Sequence, residues 1–368
     1  MKPTSLCQQG IAAMTTARAF TDSRSYLAVR GIVVFALLAT SIEMSAADKK
    51  EADVPAATIA PTTNCGCVFG DREVEVGFRI EATRALKGRI VWRYSLGAAT
   101  IASREIELTA GPDAPAKASI KLPIPAVKDG IVLQTILQVS IVEAGQNAPL
   151  TSIERTVAVF PSDPFADRSE WLKKLKIKLY DPIGTTKKTL TAAKIPFDEE
   201  ANPAALAELT EGLLLVGEGI SFKDDGSLAA IFDKLVLRGI VVLCLAPADG
   251  EIAVPGLSTS PKEFDELVFR RDIVRRLDKR LAAEGWPTDD AATRFTILIK
   301  NGENGIRGEV SKDATGWPWV EVRSHAGPGR FAICGQSIID RWDSGPTPRF
   351  LFAKLLEHLT DVELNKTR

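Results

Sequence analysis

Between Cys65 and Phe160 apolar and polar residues alternate with a period of two. Val74, Val76, Phe78 and Ile80 are interleaved with Glu73, Glu75, Gly77, Arg79 and Glu81. Ile90, Trp92, Tyr94 and Leu96 are interleaved in the same way with Arg89, Val91, Arg93 and Ser95. Side chains two apart share a face of a strand, so each run buries one side and wets the other. Shorter or denser runs follow at 102–108, 118–124, 131–142 and 157–159. Turns fall at Leu86-Lys87-Gly88, Gly111-Pro112-Asp113, Lys128-Asp129-Gly130 and Gly145-Gln146-Asn147. The pattern predicts an all-β sandwich over residues 64–162, with Trp92 packed between its sheets.

Phe160-Pro161-Ser162-Asp163-Pro164-Phe165 ends the alternation, because proline cannot donate to a strand ladder. Residues 163–175 read as an interdomain linker, with Trp171 packed at the junction. From Lys176 onward short apolar runs alternate with helical patterns. Strands are expected at 177–180, 195–197, 212–216 and 240–245. Helices are expected at 184–194, with a threonine N-cap, at 203–209, and at 228–237, with Gly239 just past its end. A charged helix is expected at 272–283, further strands at 295–299, 306–310, 319–322 and 331–334, and a closing helix at 348–359. Apolar strands between helices predict a parallel sheet covered on both faces over residues 176–360, leaving 361–368 as a tail. The early strand spacing gives the sandwich an immunoglobulin-like architecture.

The first 47 residues read as an export signal. Lys2, Arg18, Arg24 and Arg30 make a basic start, and an apolar run of about 12 residues follows at 31–42. That is short of the ~20 residues a bilayer-spanning helix needs. Ser45-Ala46-Ala47 offers a cleavage point after Ala47, and Met14 is an alternative start. No cysteine follows the run closely, so a lipid anchor is not expected. The expected location is the periplasm or cell surface, with membrane contact only through an uncleaved signal. Residues 48–63 have no apolar period and read as a disordered linker.

The 368 residues carry a formal net charge of −1, so no broad basic field is present to hold nucleic acid. The basic cluster around Arg270, Arg271, Arg275, Arg276, Lys279 and Arg280 is interleaved with acids and reads as a solvated face. Five cysteines are present. Cys65-Gly66-Cys67 lacks the second pair that a zinc site needs, and Cys244 and Cys334 lie in apolar strands as inert thiols. No metal or cofactor is expected.

Asp181, Glu218 and Asp249 each fall at or after the carboxyl end of an expected parallel strand, the edge where open α/β sheets bind ligands. Together they could share acid and base roles or hold a cation; separately they would cap turns or face solvent. Gly184-Thr185-Thr186-Lys187 opens a helix and could cradle a phosphate, although the glycine-rich spacing is absent. Trp317-Pro318-Trp319 and Trp342 are either core or a stacking surface for a sugar or a protein partner.

The second half resembles a class I glutamine amidotransferase-like domain, a three-layer flavodoxin-like fold. The resemblance rests on Lys178-Leu179-Tyr180-Asp181-Pro182, Leu214-Leu215-Val216-Gly217-Glu218-Gly219 and Arg238-Gly239-Ile240-Val241-Val242-Leu243. Gly327-Pro328-Gly329-Arg330, Gln336, Trp342 and the final helix support it. It covers roughly 171–359. Active members of that family carry a cysteine between glycines on an elbow after the central strand, with a histidine–glutamate pair near the end. Here the elbow is Ala246-Pro247-Ala248. Cys244 lies inside the strand with Val242 and Ala246 where the glycines would stand, and His325 is the one histidine placed to reach it. The resemblance therefore carries over no catalytic residue. It implies a non-catalytic exported binding or scaffold protein, with a carbohydrate or a protein as possible partner. The alternative is a hydrolase, carbohydrate-active or metal-assisted, working through Asp181, Glu218 and Asp249.

Overall fold

A computed structural model describes residues 55–224, 226–253, 264–288, 292–302, 305–324 and 328–360. The expected signal peptide, the tail 361–368 and His325 lie outside these residues. The described chain is β-rich and divides among several sheets.

The first half is a sandwich. One sheet has the order β1-β3-β6, from Ala57–Pro61, Arg72–Ala82 and Ala116–Ile124. The other has the order β2-β8-β7-β4-β5, from Cys67–Phe69, Pro149–Phe160, Leu133–Glu143, Leu86–Leu96 and Ala99–Ala110. Both inner faces close on one core, to which Val76, Phe78 and Ile120 contribute from the first sheet and Trp92, Tyr94 and Val139 from the second. The expected alternation and the buried position of Trp92 are observed.

The 48–63 linker needs correction where it is described. Ala57–Pro61 pairs antiparallel with β3, and Ala57 and Ile59 turn into the core. Two small apolar residues are too weak a period to announce a strand; the free edge of β3 supplies the ladder that makes one. The 163–175 linker also contains structure. Helix α1, Ser169–Lys174, buries Leu172, and Arg168 covers the ring of the half-buried Trp171.

The second half is built on a seven-stranded mixed sheet, order β10-β9-β11-β12-β18-β17-β14. β10 (Asp198–Glu199), β9 (Ile177–Tyr180), β11 (Leu213–Val216), β12 (Val241–Leu245) and β18 (Arg330–Cys334) are parallel. β17 (Trp319–Ser324) and β14 (Phe264–Arg270) complete it in antiparallel sense. Alternate residues of the parallel strands feed opposite cores. Leu213, Leu215 and Leu243 face α2 (Thr185–Ala192) and α6 (Pro346–Thr360). Leu214, Val242 and Cys244 face α3 (Pro203–Leu206) and α4 (Leu228–Leu237). A small sheet, β13-β16-β15 (Glu251–Ala253, Gly305–Ser311, Thr296–Gly302), packs on the α4 side.

Two expected elements shift. The strand expected at 195–197 forms at β10 instead, because Pro196 has no amide to pair. The helix expected at 272–283 stops at α5, Ile273–Leu277. Asp278 takes extended geometry there, and its carboxylate accepts from the Arg280 amide and guanidinium, turning the chain into a short 3-10 segment, Lys279–Ala282.

That break delivers Trp286 to the sandwich. Its ring enters the core between the two β-sheets, and its indole donates to the Thr156 carbonyl at 2.9 Å. Ala283 and Trp286 rest against Gly66, where any Cβ would clash. Phe160 and Phe350 pack with tilted rings, centroids 4.6 Å apart, on another part of the same junction. Trp286→Ala is expected to lower unfolding free energy by about 3–5 kcal/mol, the range for a buried aromatic. Trp286→Phe is expected to lose about 1 kcal/mol for the hydrogen bond alone, both read from denaturant titration.

Candidate functional site

The carboxyl ends of β9, β11, β12 and β18 open onto a cleft of about 870 Å³. Ile183 and Thr185 border it after β9, Glu218 and Gly219 after β11, Ala248 after β12, and residues 339–343 after β18. Residues 162–165, leaving the sandwich, close one side. The cleft therefore occupies the edge at which open α/β sheets receive ligands, and it sits where two layered units meet.

The three sequence-predicted carboxylates do not act together in this cleft. Of the three, only Glu218 lines it. Glu218 is 3% exposed and its oxygens are filled. One accepts from the Ile338 and Ile339 amides at 3.1 and 2.7 Å. The other accepts from Arg294 Nη1 at 3.1 Å and the Ser337 hydroxyl at 3.3 Å. Its own amide donates to the buried Thr186 hydroxyl at 2.9 Å. The carboxylate so enclosed ties the turn after β11 to the segment after β18 and to Arg294.

Asp181 serves α2. One oxygen accepts from the Lys187 amide at 2.7 Å, so it caps the first turn of the helix from outside. The threonine cap expected there is absent: Gly184 holds the N-cap position, and Thr186 turns to Glu218 instead. The expected phosphate cradle is likewise filled by the protein's own carboxylate. The other Asp181 oxygen has no hydrogen-bond partner and lies against Gly217, where a Cβ would come within 2.5 Å of it. Asp249 is half exposed, accepting from the Ser221 hydroxyl at 2.6 Å and facing Lys223. The Ser221 hydrogen bond holds its carboxyl below the usual range, against a smaller opposing effect of burial.

The elbow after β12 is strained. Ala246 is fully buried with φ +24°, a region that L-residues rarely adopt. Its amide donates to the Cys334 carbonyl at 2.6 Å, and its carbonyl accepts from the Gly219 amide at 3.0 Å. The side chain carried on this turn is a methyl group. Cys244 points into the α4-side core, where burial and the neighbouring Cys334 push its thiol pKa up. Burial likewise pushes Cys334 up to about 12. Both shifts favour the neutral thiol.

Sequence reasoning missed the cations of the cleft. Lys188 and Lys194 extend from α2 and its end, Arg294 stands beside Glu218, and Arg349 pairs with Asp343 while covering Phe69 and Trp342. Thr185, Lys188, Thr189 and Ala192 recur at helical spacing, which could have marked one face of α2. Nothing local marked Arg294. The tryptophan hairpin offers no stacking surface: Trp319 is fully buried, and Trp317 lies between Phe269 and Arg271. Among the described residues no group of three or more His, Cys, Asp or Glu side chains is gathered to hold a metal. Nor is any described helix long and apolar enough to cross a membrane.

A second buried carboxylate lies at the other side of the sheet. Glu321 on β17 is 1% exposed and bonds His358 at 3.0 Å and Arg323 at 2.8 Å. Arg330 lies 3.8 Å away and donates to the His358 carbonyl. This cluster fastens α6 to the antiparallel strands.

No family model matches the chain, and no curated protein does. Solved structures overlap it only weakly. The sporulation control protein of Bacillus subtilis is 12% identical, covering 32% of this chain and 54% of its own, with a TM-score of 0.25. A cycloisomaltooligosaccharide glucanotransferase from Paenibacillus sp., complexed with cycloisomaltoheptaose, is 9% identical, covering 68% and 33%, with a TM-score of 0.26. A glycosyl hydrolase family 2 member from Bacteroides cellulosilyticus is 11% identical, covering 52% and 36%, with a TM-score of 0.23. The chain thus spans only part of these proteins' lengths, and such scores identify no shared fold.

Two outcomes are expected from the buried carboxylates. Glu218→Ala strands two backbone amides and a guanidinium, and should cost about 3–5 kcal/mol of stability in denaturant titration. Burial alone would raise the Glu321 pKa, but its hydrogen bonds to His358 and Arg323 outweigh that and lower it from 4.5 to about 2. Its contribution, on the order of 3 kcal/mol, is complete above the unfolded pKa and is lost as pH falls through the folded one. Stability measured from pH 4.5 down to 2 should therefore fall less steeply in Glu321→Gln than in the parent.

Proposed function

We propose that this chain is an exported, non-catalytic binding protein. In this reading an immunoglobulin-like sandwich is joined to an amidotransferase-like domain of flavodoxin-like type, and the ligand lies in the cleft at the carboxyl edge of its sheet. The basic start and apolar run of the N-terminus support export. The parallel order β10-β9-β11-β12-β18, with helices on both faces, supports the amidotransferase-like assignment.

One observation carries the functional reading. The strained turn after the central strand is retained, but its side chain is that of Ala246, and the nearest thiol in sequence, Cys244, is turned away into the core. A nucleophile must be exposed, deprotonatable and within reach of a base. Cys244 has neither exposure nor an accessible thiolate. The hydrolase alternative draws no comparable support, since Asp181, Glu218 and Asp249 are each engaged by a different structural partner.

Two measurements on the full chain test this. Native protein treated with iodoacetamide at neutral pH should leave Cys244 and Cys334 unmodified by peptide mass mapping, and both should react in denaturant. Incubation with glutamine should release no ammonia above a no-protein control. Native alkylation of Cys244, or protein-dependent ammonia release, would overturn the non-catalytic reading.

A further inference from the structure

Building on the cleft as the binding site, we propose that its ligand is a small monocarboxylate, held by Arg294, Lys188 and Lys194. Arg294 uses Nη1 to meet Glu218, and its side chain is 41% exposed. Its remaining N–H groups have no hydrogen-bond partner among the described residues. Glu218, locked by two amides and a hydroxyl, anchors one end of this guanidinium in advance. A pre-oriented fork of donors is the geometry that receives an oxyanion two-pronged.

The lysines supply the second argument. Neither ammonium has an ion-pair or hydrogen-bond partner among the described residues, although both line the cleft. Lys194 also occupies a costly position. α2 closes with the Lys194 amide on Thr191 and the Ile195 amide on Leu190, a helix end that favours a left-handed residue. α4 closes with the same two bonds and places Gly239 there. At φ +56° Lys194 bears a strain that glycine would not. Lys176 is also left-handed, but it is paired with Glu211. Lys194 has no such partner, so its strain calls for another explanation, and a ligand-facing charge supplies one.

Charge balance selects the class of anion. Four cationic and four acidic side chains line the cleft, so its net charge is zero. In a lining of zero net charge a doubly charged phosphate would leave two uncompensated charges where a carboxylate leaves one, and taking the dianion out of water costs more. A single carboxylate can sit on Arg294 and the lysines while its neutral body lies toward Ile183 and the threonine face of α2.

The test is calorimetric titration of the full chain with D-galacturonate, N-acetyl-L-alanine, D-galactose and galactose 1-phosphate. The first two share a carboxylate on different bodies and separate a sugar acid from an amino-acid derivative. At least one should bind saturably, about tenfold more tightly than galactose, with affinity falling as sodium chloride is raised. The double variant Lys188→Gln/Lys194→Gln, on the surface and expected to fold, should weaken it about fivefold or more. Arg294→Lys, which keeps the charge but loses the fork, should weaken it as well. Galactose binding as tightly as galacturonate, a preference for the phosphate, or an unchanged affinity in both variants would overturn the proposal. Tight galactose binding would leave the cleft a ligand site while removing the carboxylate. No saturable binding by either carboxylate would sink the inference. Thiol alkylation or ammonia release, by contrast, bears on the non-catalytic reading separately.

Discussion

The carboxyl edge of the parallel sheet depends on one buried charge. Glu218 lies two residues past β11, yet its contacts reach α2 through Thr186, the segment after β18 through three consecutive residues, and the approach to β15 through Arg294. Taking a carboxylate out of water costs several kcal/mol, and only a full set of donors offsets it. Because those donors come from separate loops, the loops must converge for the charge to be tolerated. The same saturation leaves both carboxylate oxygens occupied by the protein's own donors.

The elbow obeys the same logic. A backbone held at positive φ without glycine costs on the order of 1–3 kcal/mol and persists only where its surroundings enforce it. Ala246 is enforced by Cys334 on one side and Gly219 on the other, and Gly219 directly follows Glu218. The strained turn is thus part of the framework that Glu218 organises, which explains how it can stand without a reactive side chain upon it. Asp181 belongs to this framework too, since its carboxylate occupies the space that Gly217 leaves by having no Cβ.

Period and punctuation made much of this architecture legible. Two-residue alternation marked the sandwich and the parity of Trp92, apolar runs marked β9, β11, β12 and β18, and Gly239 marked the end of α4. Features resting on weak or misleading local signals were not legible. β1 has only Ala57 and Ile59 to declare it. Asp278 interrupts an otherwise helical pattern by bonding its own neighbour. The sequence placed Asp181, Glu218 and Asp249 near one edge, but their roles depend on partners. Those of the Glu218 carboxylate lie 76 to 121 residues away, beyond any local pattern. Arg294 was missed for the same reason: its meaning comes from Glu218, not from its neighbours in the chain.

The sandwich is a structural component of the cleft, not an appendage to it. Residues 162–165 leave β8 and form part of the cleft wall, and Arg349 of α6 donates to the Ser162 carbonyl while pairing with Asp343 on the far lip. Trp286, sent back from the second half, is embedded in the sandwich core. Each unit therefore holds a piece of the other, and a shift of the sandwich would displace one wall of the cleft relative to the lysines on α2. At this edge the Glu218 carboxylate is filled by the protein's own donors, and the Cys244 and Cys334 thiols are buried. The cleft walls are thus fixed from two directions, around lysine ammonium groups that have no partner among the described residues.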